Sequence, residues 1–444
     1  MQAAGFSWAQ IARLGLVQTA LGAVVVLMTS TINRVMVVEL ALPAIVPGAL
    51  VALHYAVQVL RPRWGYGSDV GGRRTPWIVG GMAALALGGF GAACATALCE
   101  VDRTAGLALA VLSFLTVGMG AGAAGTSLLV LLATGVEARR RGAAATIVWV
   151  MMIAGFAVTA PLAGHFLDPF SGARLVAVSG AVSAIAFAVA CLAVIGVEPH
   201  RPAEAPAPER KPPFLQVLAR VWAEPQSRRF TVFIFVAMLA YSAQELILEP
   251  FAGLVFAMSP GVTTKLAGLQ HGGVLAGMLF VAGVTMGIGG PVLGSLKLWT
   301  AIGCAGSGAA LVGIAGGGLV GPDFPLRALV FALGLFNGIF AVAAIGSMMA
   351  LAGAGGEAER GTRMGVWGAA QGVAFGTGGF LGTVAVDLTR LAMPEPVHAY
   401  AAVFTGEALL FVAATVIALR VEHAAETRVP RARRAAILRF EPRF

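Results

Sequence analysis

The chain has 444 residues, of which 58% are hydrophobic and 11% are charged. Soluble domains contain roughly 45–50% apolar and about 25% charged residues, so this composition excludes a soluble globular protein and indicates a lipid surrounding. The formal net charge of +9 lies in short segments between apolar runs, so we expect no nucleic-acid partner.

Twelve apolar runs are long enough to cross a membrane, because a spanning helix needs about 20 apolar residues. In chain order they are 14–32, 43–60, 77–98, 105–134, 144–166, 174–196, 230–257, 263–286, 298–319, 326–352, 364–386 and 399–420. We therefore predict an all-α polytopic membrane protein with twelve transmembrane helices. The 59 glycines suit this class, since small residues let membrane helices approach closely.

The basic residues indicate how these helices are oriented. Most of the 30 lysines and arginines lie in segments that share one side with the N-terminus, and cytoplasmic loops are the ones enriched in such residues. The exceptions are Arg34, Arg103, Arg174, Lys265, Arg327 and Arg390. We therefore expect both termini in the cytoplasm. The first apolar run has full length and no small-residue cleavage site, so we expect no removed signal peptide.

A proline-rich segment divides the predicted helices into two sets. Residues 197–229 contain seven prolines mixed with charges, and such a composition neither crosses a membrane nor packs a core. The expected divisions are an N-terminal six-helix half at 1–196, this cytoplasmic linker, a C-terminal six-helix half at 230–420, and a basic cytoplasmic tail at 421–444.

Matching residues recur in the two halves at offsets of 216 to 219 positions. The pairs are His54 with His271, Gly118 with Gly334, Arg141 with Arg360, Trp149 with Trp367, and Asp168 with Asp387. Each pair falls at an equivalent place in the two sets of helices. The pattern predicts two six-helix pseudo-repeats related by an axis along the membrane normal.

A charged, glycine-rich loop joins the second and third runs. Its residues Gly65, Asp69, Gly72, Arg73 and Arg74 have the spacing G-x-x-x-D-x-x-G-R-R. This spacing resembles the signature loop of the major facilitator superfamily, and the resemblance implies the major facilitator fold.

The corresponding loop of the second half, 287–297, keeps its glycines but has no aspartate and no arginine pair. We therefore expect only the first loop to latch the halves together. Its Asp69 is expected near Thr362, where a carboxylate would meet the positive end of a helix dipole.

The region around this loop resembles one branch of the superfamily. The residues that carry the resemblance are 33–40, 53–58, 64–65, 68–69 and 71–78, with further support from 241–245 and 249–250. They are similar to the PucC/LhaA family, the light-harvesting complex assembly proteins of purple phototrophic bacteria, also called the bacteriochlorophyll delivery branch.

This resemblance implies a chaperone that delivers bacteriochlorophyll to antenna polypeptides or helps them assemble, in the bacterial inner (intracytoplasmic) membrane. The implied ligands are bacteriochlorophyll and carotenoid or lipid. The implied partners are antenna polypeptides, the reaction centre complex, bacteriochlorophyll synthase, the membrane insertion machinery and anionic lipids. We expect no enzyme, because the sequence has no phosphate-binding loop, zinc-spaced cluster or nucleophile–base pair.

Ionisable residues inside a span cost about 2.5–3.5 kcal/mol on insertion scales, so each requires a partner or a role. The intramembrane charges that we single out are Arg34, Glu39, Glu245 and Glu249. Arg34 could pair with Glu245 or Glu249 across the two halves. Alternatively, Arg34 pairs with Glu39 and serves only as an anchor near the helix end.

Two mid-span histidines are candidates for binding pigment, because a neutral imidazole suits the axial position of a chlorophyll magnesium. Gln58 lies one turn after His54 and could orient its ring, whereas Leu275 stands one turn after His271. We therefore rank His54 above His271, provided that a macrocycle can reach the ring from lipid. The alternative is that each histidine bonds to a neighbouring helix, which would leave Glu39 or Gln244 as a ligand.

We expect no metal site, and the cysteines Cys94, Cys99, Cys191 and Cys304 form no C-x-x-C pair and are predicted to pack as small apolar residues. Two functional hypotheses remain beside the assembly factor. One is a proton-coupled secondary transporter of a small solute, with Glu245 or Glu249 as the proton carrier. The other is a passive pigment-binding antenna subunit, which the repeat and the latch loop disfavour.

Overall fold

The computed structural model describes residues 5–57, 60, 73–137, 140–198, 219, 222–285, 293–321, 323–354 and 357–420. Within these ranges the secondary structure is helical, and we number the helices in chain order. They are α1 (Trp8–Glu39), α2 (Ile45–Val57), α3 (Thr75–Leu98), α4 (Arg103–Gly135), α5 (Arg141–Leu167), α6 (Gly172–Val194), α7 (Pro225–Phe256), α8 (Pro260–Gly283), α9 (Leu296–Val320), α10 (Leu326–Ala354), α11 (Glu357–Ala392) and α12 (Pro396–Arg420).

Eleven helices of the described ranges are long and apolar enough to cross a membrane. The exception is α2, which has 13 described residues where we predicted a span over 43–60. The residues that follow, 58–59 and 61–72, lie outside the described ranges. The chain is a multi-pass membrane protein, and the predicted all-α class is confirmed.

Several helices begin at a polar residue that accepts a hydrogen bond from their first turn, which replaces the missing intrahelical acceptor. Ser7 forms a capping box with Gln10 at the start of α1. Asp102 accepts hydrogen bonds from the amides of Thr104 and Ala105 at the start of α4. The apolar runs between these caps are long enough to form whole transmembrane helices.

The C-terminal third of α1 departs from α-helical geometry. Residues Leu27–Ile32 and Val35–Glu39 form two π-helical stretches, in which backbone hydrogen bonds join residues five apart. These stretches hold Ser30, Thr31, Glu39 and neighbouring polar residues against α7 and α8.

The helices pack around two large hydrophobic cores. One core contains buried residues of α1 to α6 and Leu246 of α7, and the other contains buried residues of α7 to α12. We call α1–α6 the N-terminal half and α7–α12 the C-terminal half. The halves meet mainly where α5 packs against α8 and where α2 packs against α11.

One predicted repeat pair has the same packing role in both halves. A Cβ atom on Gly118 of α4 would lie 2.6 Å from the carbonyl oxygen of His54 in α2. A Cβ atom on Gly334 of α10 would lie 2.0 Å from the carbonyl oxygen of Gln270 in α8. Only glycine permits these backbone approaches, so the pseudo-repeat is visible in the packing as well as in the sequence.

Several predictions concern residues outside the described ranges. They are Gln58, the loop residues Gly65, Asp69 and Gly72, most of the linker, and the tail at 421–444. The side chain of Thr362 also lies outside the described set, so the proposed contact with Asp69 stays a prediction. Arg73 and Arg74 are described and directly precede α3.

Candidate functional site

Five ionisable side chains lie where α1 meets α7 and α8. We call Arg34, Glu39, Glu245, Glu249 and His271 the interior polar cluster. The cluster contains all four intramembrane charges that we singled out from the sequence and one of the two candidate histidines. The helices that carry it belong to both halves, so the cluster lies at their contact.

Arg34 is 2% exposed and forms an ion pair with Glu39. Its other terminal nitrogen donates a hydrogen bond of 2.6 Å to the carbonyl oxygen of Met258, in the connection between α7 and α8. Of the three acids that the sequence left open as partners, the structure shows Glu39. The guanidinium still links the halves, but it does so through a backbone carbonyl.

The carboxyl group of Glu249 lies beside the hydroxyl groups of Ser30 and Thr263 and within electrostatic range of Arg34. Two further hydrogen bonds cross between the halves close by. Thr31 and Thr264 lie 2.9 Å apart through their hydroxyl oxygens. Asn33 donates to the Leu246 carbonyl oxygen at 2.7 Å. The C-terminal third of α1 is therefore attached to α7 and α8 by several polar contacts along its length.

The imidazole of His271 has a defined tautomer. Its Nδ1 lies 2.9 Å from the Ala267 carbonyl oxygen, and a carbonyl only accepts, so Nδ1 carries the proton. The lone pair of Nε2 then faces Oε1 of Glu245 at 4.0 Å. Phe156 of α5 packs edge-on against the ring, with 4.8 Å between centroids. This arrangement places a carboxyl group and an imidazole beside each other inside the bundle.

Neither candidate histidine is open to lipid. His54 is 4% exposed and His271 is 7% exposed, and the two nitrogens of His271 already face Ala267 and Glu245. A macrocycle cannot reach either ring from the bilayer without helix movement. The two residues therefore do not fit the requirement for a pigment ligand reached from lipid.

Other polar residues lie deep in the C-terminal half. Ser307 of α9 donates a hydrogen bond of 2.8 Å to the side-chain oxygen of Asn337 in α10. Gln244 and Glu407 are buried on α7 and α12, two helices that pack against each other within this half. The bond between Ser307 and Asn337 joins α9 to α10 within this half. The four cysteines are free thiols.

A lipid-facing groove of about 420 Å³ lies between α3 and α6. Its walls combine small residues, such as Ala83 and Gly180, with the aromatic rings of Phe90 and Phe187. The groove is separate from the interior polar cluster, because it lies on the outside of the N-terminal half.

Glu198 makes polar contacts that no pattern in the sequence predicted. Its carboxylate accepts hydrogen bonds from the amides of Arg74 and Thr75, at 2.7 and 2.9 Å, and from the Thr75 hydroxyl at 2.8 Å. It thereby caps the start of α3 from beyond the end of α6. Burial raises the pKa of Glu198, but these hydrogen bonds and the charge of Arg74 outweigh it and hold the pKa below its ordinary value.

The architecture and the position of the cluster define a class, namely membrane proteins with the major facilitator fold. A solved structure of this class is a bacterial homologue of the human lysosomal transporter Spinster, in an inward-facing and unoccupied conformation. The TM-score is 0.63, and the match covers 93% of this chain and 96% of that one. At 13% identity this similarity concerns the fold.

Within this class, residues 31–426 match the family model described as PUCC protein, and the chain belongs to the PucC family. A relative from Rhodobacter capsulatus named Bacteriochlorophyll synthase 44.5 kDa chain is 54% identical, covering 93% of this chain and 95% of its own length. Protein PucC of Cereibacter sphaeroides is 29% identical, covering 92% and 91%. The family expected from residues 33–78 is confirmed.

Proposed function

We propose that this chain is an assembly factor for light-harvesting antenna complexes in the inner membrane of a phototrophic bacterium, with both termini in the cytoplasm. The observation that carries the proposal is the family match over residues 31–426, and members of this family are similar in sequence along nearly their whole length. The proposed partners are antenna polypeptides, together with the reaction centre complex and anionic lipids.

We propose a non-enzymatic role, although one relative bears the name of a bacteriochlorophyll synthase chain. Four ionisable groups of the interior polar cluster face one another or a backbone carbonyl, and Glu249 lies beside the hydroxyl groups of Ser30 and Thr263. Such engagement supports structural and binding roles, because catalytic groups need access to a substrate.

The proposed link to bacteriochlorophyll is assistance with its insertion into antenna polypeptides. His54 and His271 are enclosed by packed helices, so no ligation step is assigned to them. Bacteriochlorophyll, carotenoid or lipid that contacts this chain would meet the apolar outer surfaces of the helices, which carry many exposed leucine, valine and phenylalanine side chains.

The test is a deletion strain of the phototrophic host, complemented with the full chain or with an empty vector. We expect the antenna absorbance bands to fall relative to the reaction centre in the empty-vector strain and to return with the full chain. Tagged protein purified gently from the complemented strain should carry antenna polypeptides. Unchanged antenna bands in the deletion strain would contradict the proposal.

A second candidate function is proton-coupled transport of a small solute, which the pair of Glu245 and His271 supports. Purified protein in proteoliposomes with a pH-sensitive dye inside would show solute-dependent proton uptake. Such uptake should disappear in Glu245→Gln, while Leu112→Ala, a change of a lipid-exposed side chain on α4, should retain it. Proteoliposomes without solute-dependent proton movement would exclude this function for the solutes tested.

A further inference from the structure

A carboxylate at the end of α5 contacts the first residues of α8, which belongs to the other half. Oδ1 of Asp168 accepts a hydrogen bond from the Ser259 hydroxyl at 2.9 Å and from the Gly261 amide at 3.3 Å. Ser259 is itself the N-cap of α8. Asp168 therefore extends the cap of α8 from the N-terminal half.

A second carboxylate, near the end of α11, contacts the first residues of α2. Oδ1 of Asp387 accepts a hydrogen bond from the Ala44 amide at 3.1 Å, and Oδ2 accepts one from the Ile45 amide at 2.7 Å. Here the carboxylate belongs to the C-terminal half and the capped helix to the N-terminal half.

These two contacts are equivalent under the internal repeat. Asp168 and Asp387 are one of the repeat pairs, and each joins the end of one helix to the start of a helix in the opposite half. Both junctions are tight. A Cβ atom on Gly261 would lie 2.4 Å from Asp168, and one on Gly48 of α2 would lie 2.0 Å from the Thr383 hydroxyl of α11.

Separating the halves at the end of the bundle where α5 and α11 finish would cost free energy in two ways. The first amides of α2 and α8 would lose acceptors that an α-helix cannot supply from within, and two carboxylates would lose the favourable helix dipoles. We define the outer end as the end of the bundle where α5 and α11 finish. We propose that Asp168 and Asp387 form a matched pair of latches that hold the two halves together at the outer end.

The proposal concerns a change of conformation, and it is independent of what the protein assembles. In the outer-closed conformation both latches are formed, and opening of this end requires both to break. Each capping side chain contributes free energy equivalent to roughly a fivefold change in an equilibrium constant. Because the latches lie on separate helix pairs, their effects should multiply to roughly 25-fold.

The reporter for opening is Thr264→Cys. Thr264 is 0% exposed and lies at the contact between α8 and α1, where it faces Thr31. In a chain whose four native cysteines are replaced, the rate of maleimide labelling at this position measures how often the contact opens. The purified full chain is placed in lipid nanodiscs, so the reagent reaches both faces of the membrane.

We expect slow labelling with both latches intact. Asp168→Ala and Asp387→Ala should each raise the rate about fivefold, and the double variant should raise it about 25-fold. Asp168→Asn should raise the rate less than Asp168→Ala, because one oxygen accepts both of its bonds and the amide loses only the interaction of the charge with the helix dipole. Asp387→Asn should have an intermediate effect, because its two bonds use both oxygens.

Asp102→Ala is the matched control, since Asp102 caps its own helix α4 at the same end, and its hydrogen bonds within the described ranges go to Thr104 and Ala105 of that helix. It should leave the labelling rate unchanged. A parallel chain that keeps only Cys304, a thiol inside the C-terminal core, reports general unfolding. The proposal is overturned if the double variant labels no faster at position 264, or if Cys304 labelling rises by the same factor.

Discussion

His271 and Glu245 face each other between α8 and α7, with 4.0 Å between Nε2 of the imidazole and Oε1 of the carboxyl group. The edge of Phe156, from α5, closes the space around the imidazole. The pair itself belongs to the C-terminal half, and the N-terminal half encloses it through Phe156. Any movement of α5 relative to α8 will change the surroundings of His271 directly.

The first prediction concerns Glu245, whose carboxyl group accepts a hydrogen bond from the Tyr241 hydroxyl. Glu245→Gln should leave thermal stability nearly unchanged, because the amide oxygen can still accept this bond. Glu245→Leu leaves the buried hydroxyl without its acceptor and should cost about 1–3 kcal/mol. The measurement is the thermal unfolding midpoint of the two purified variants in the same detergent. Equal midpoints for the glutamine and leucine variants would show that the bond to Tyr241 contributes nothing to stability.

The second prediction concerns Arg34, whose two terminal nitrogens bond to different partners, Glu39 and the Met258 carbonyl. Lysine offers a single compact ammonium group and cannot reproduce this fork. Arg34→Lys should therefore destabilise the protein by about 1.5–3 kcal/mol, the value of a hydrogen bond to a charged group.

Glu39→Gln serves as the comparison for Arg34. The Glu39 side chain is 37% exposed, and exposed ion pairs contribute about 0–1 kcal/mol. Its effect on the unfolding midpoint should therefore be clearly smaller than that of Arg34→Lys. If the two changes have the same effect, the Met258 bond contributes nothing to stability.

The third prediction is a pH dependence at Glu198. A carboxyl whose pKa is lowered in the folded protein adds stability above its unfolded pKa, and this stability disappears as the pH falls through the folded pKa. The lowered pKa of Glu198 therefore stabilises the cap of α3 at neutral pH and ceases to do so in acid. Glu198→Ala should lower stability at pH 7 by about 0.5–2 kcal/mol.

The gap in unfolding midpoint between the wild-type chain and Glu198→Ala should narrow as the pH is lowered below the ordinary glutamate range. Asp102→Ala, which removes a different helix cap, controls for the general cost of losing a capping side chain. A gap that stays constant from neutral to acid pH would mean that ionisation of Glu198 does not support α3.

The fourth prediction is the orientation of the chain. Ala223 precedes α7 and Glu395 precedes α12, and both residues are exposed. In a cysteine-free background, Ala223→Cys should react with an impermeant maleimide from the cytoplasmic side only, as the distribution of basic residues requires. Glu395→Cys should react from the opposite side only. Labelling of both positions from one side would contradict the predicted topology.

The fifth prediction concerns pigment. Since the rings of His54 and His271 are buried, His54→Leu and His271→Leu should leave any near-infrared absorbance that co-purifies with the protein unchanged per mole of chain. The measurement is the absorbance spectrum after gentle purification from the phototrophic host. A band that disappears in one variant would assign the ligand to that histidine and would require a conformation in which its helix face is open.

The sequence predicted the features that depend on composition and on local pattern. Apolar runs of membrane length located the helices, and an offset common to several residue pairs exposed the repeat. The partners of the polar residues were harder to predict, because they depend on how distant helices meet. Asp168 and Asp387 were recognised as a pair, yet nothing local indicates that each would cap a helix of the opposite half.

Glu198 shows the same limit over a shorter range. Its partners Arg74 and Thr75 lie more than 120 positions earlier in the chain, and a single acid after an apolar run gives no signal of a helix cap. The pairing of Arg34 was left open between three acids because distances between helices decide it. Its bond to the Met258 carbonyl involves a backbone atom, which no pattern of side chains can reveal.

The π-helical stretches of α1 explain why Arg34 and Glu39 can pair at all. In an ordinary α-helix the side chains of residues five positions apart point roughly 140° apart, whereas a π-turn, with backbone bonds between residues five apart, brings them nearer to the same side. The π-helical register of this segment therefore favours the ion pair. If the C-terminal third of α1 rewound by one residue into an α-helix, Glu39 would swing away from Arg34, so the pair acts as an indicator of helix register.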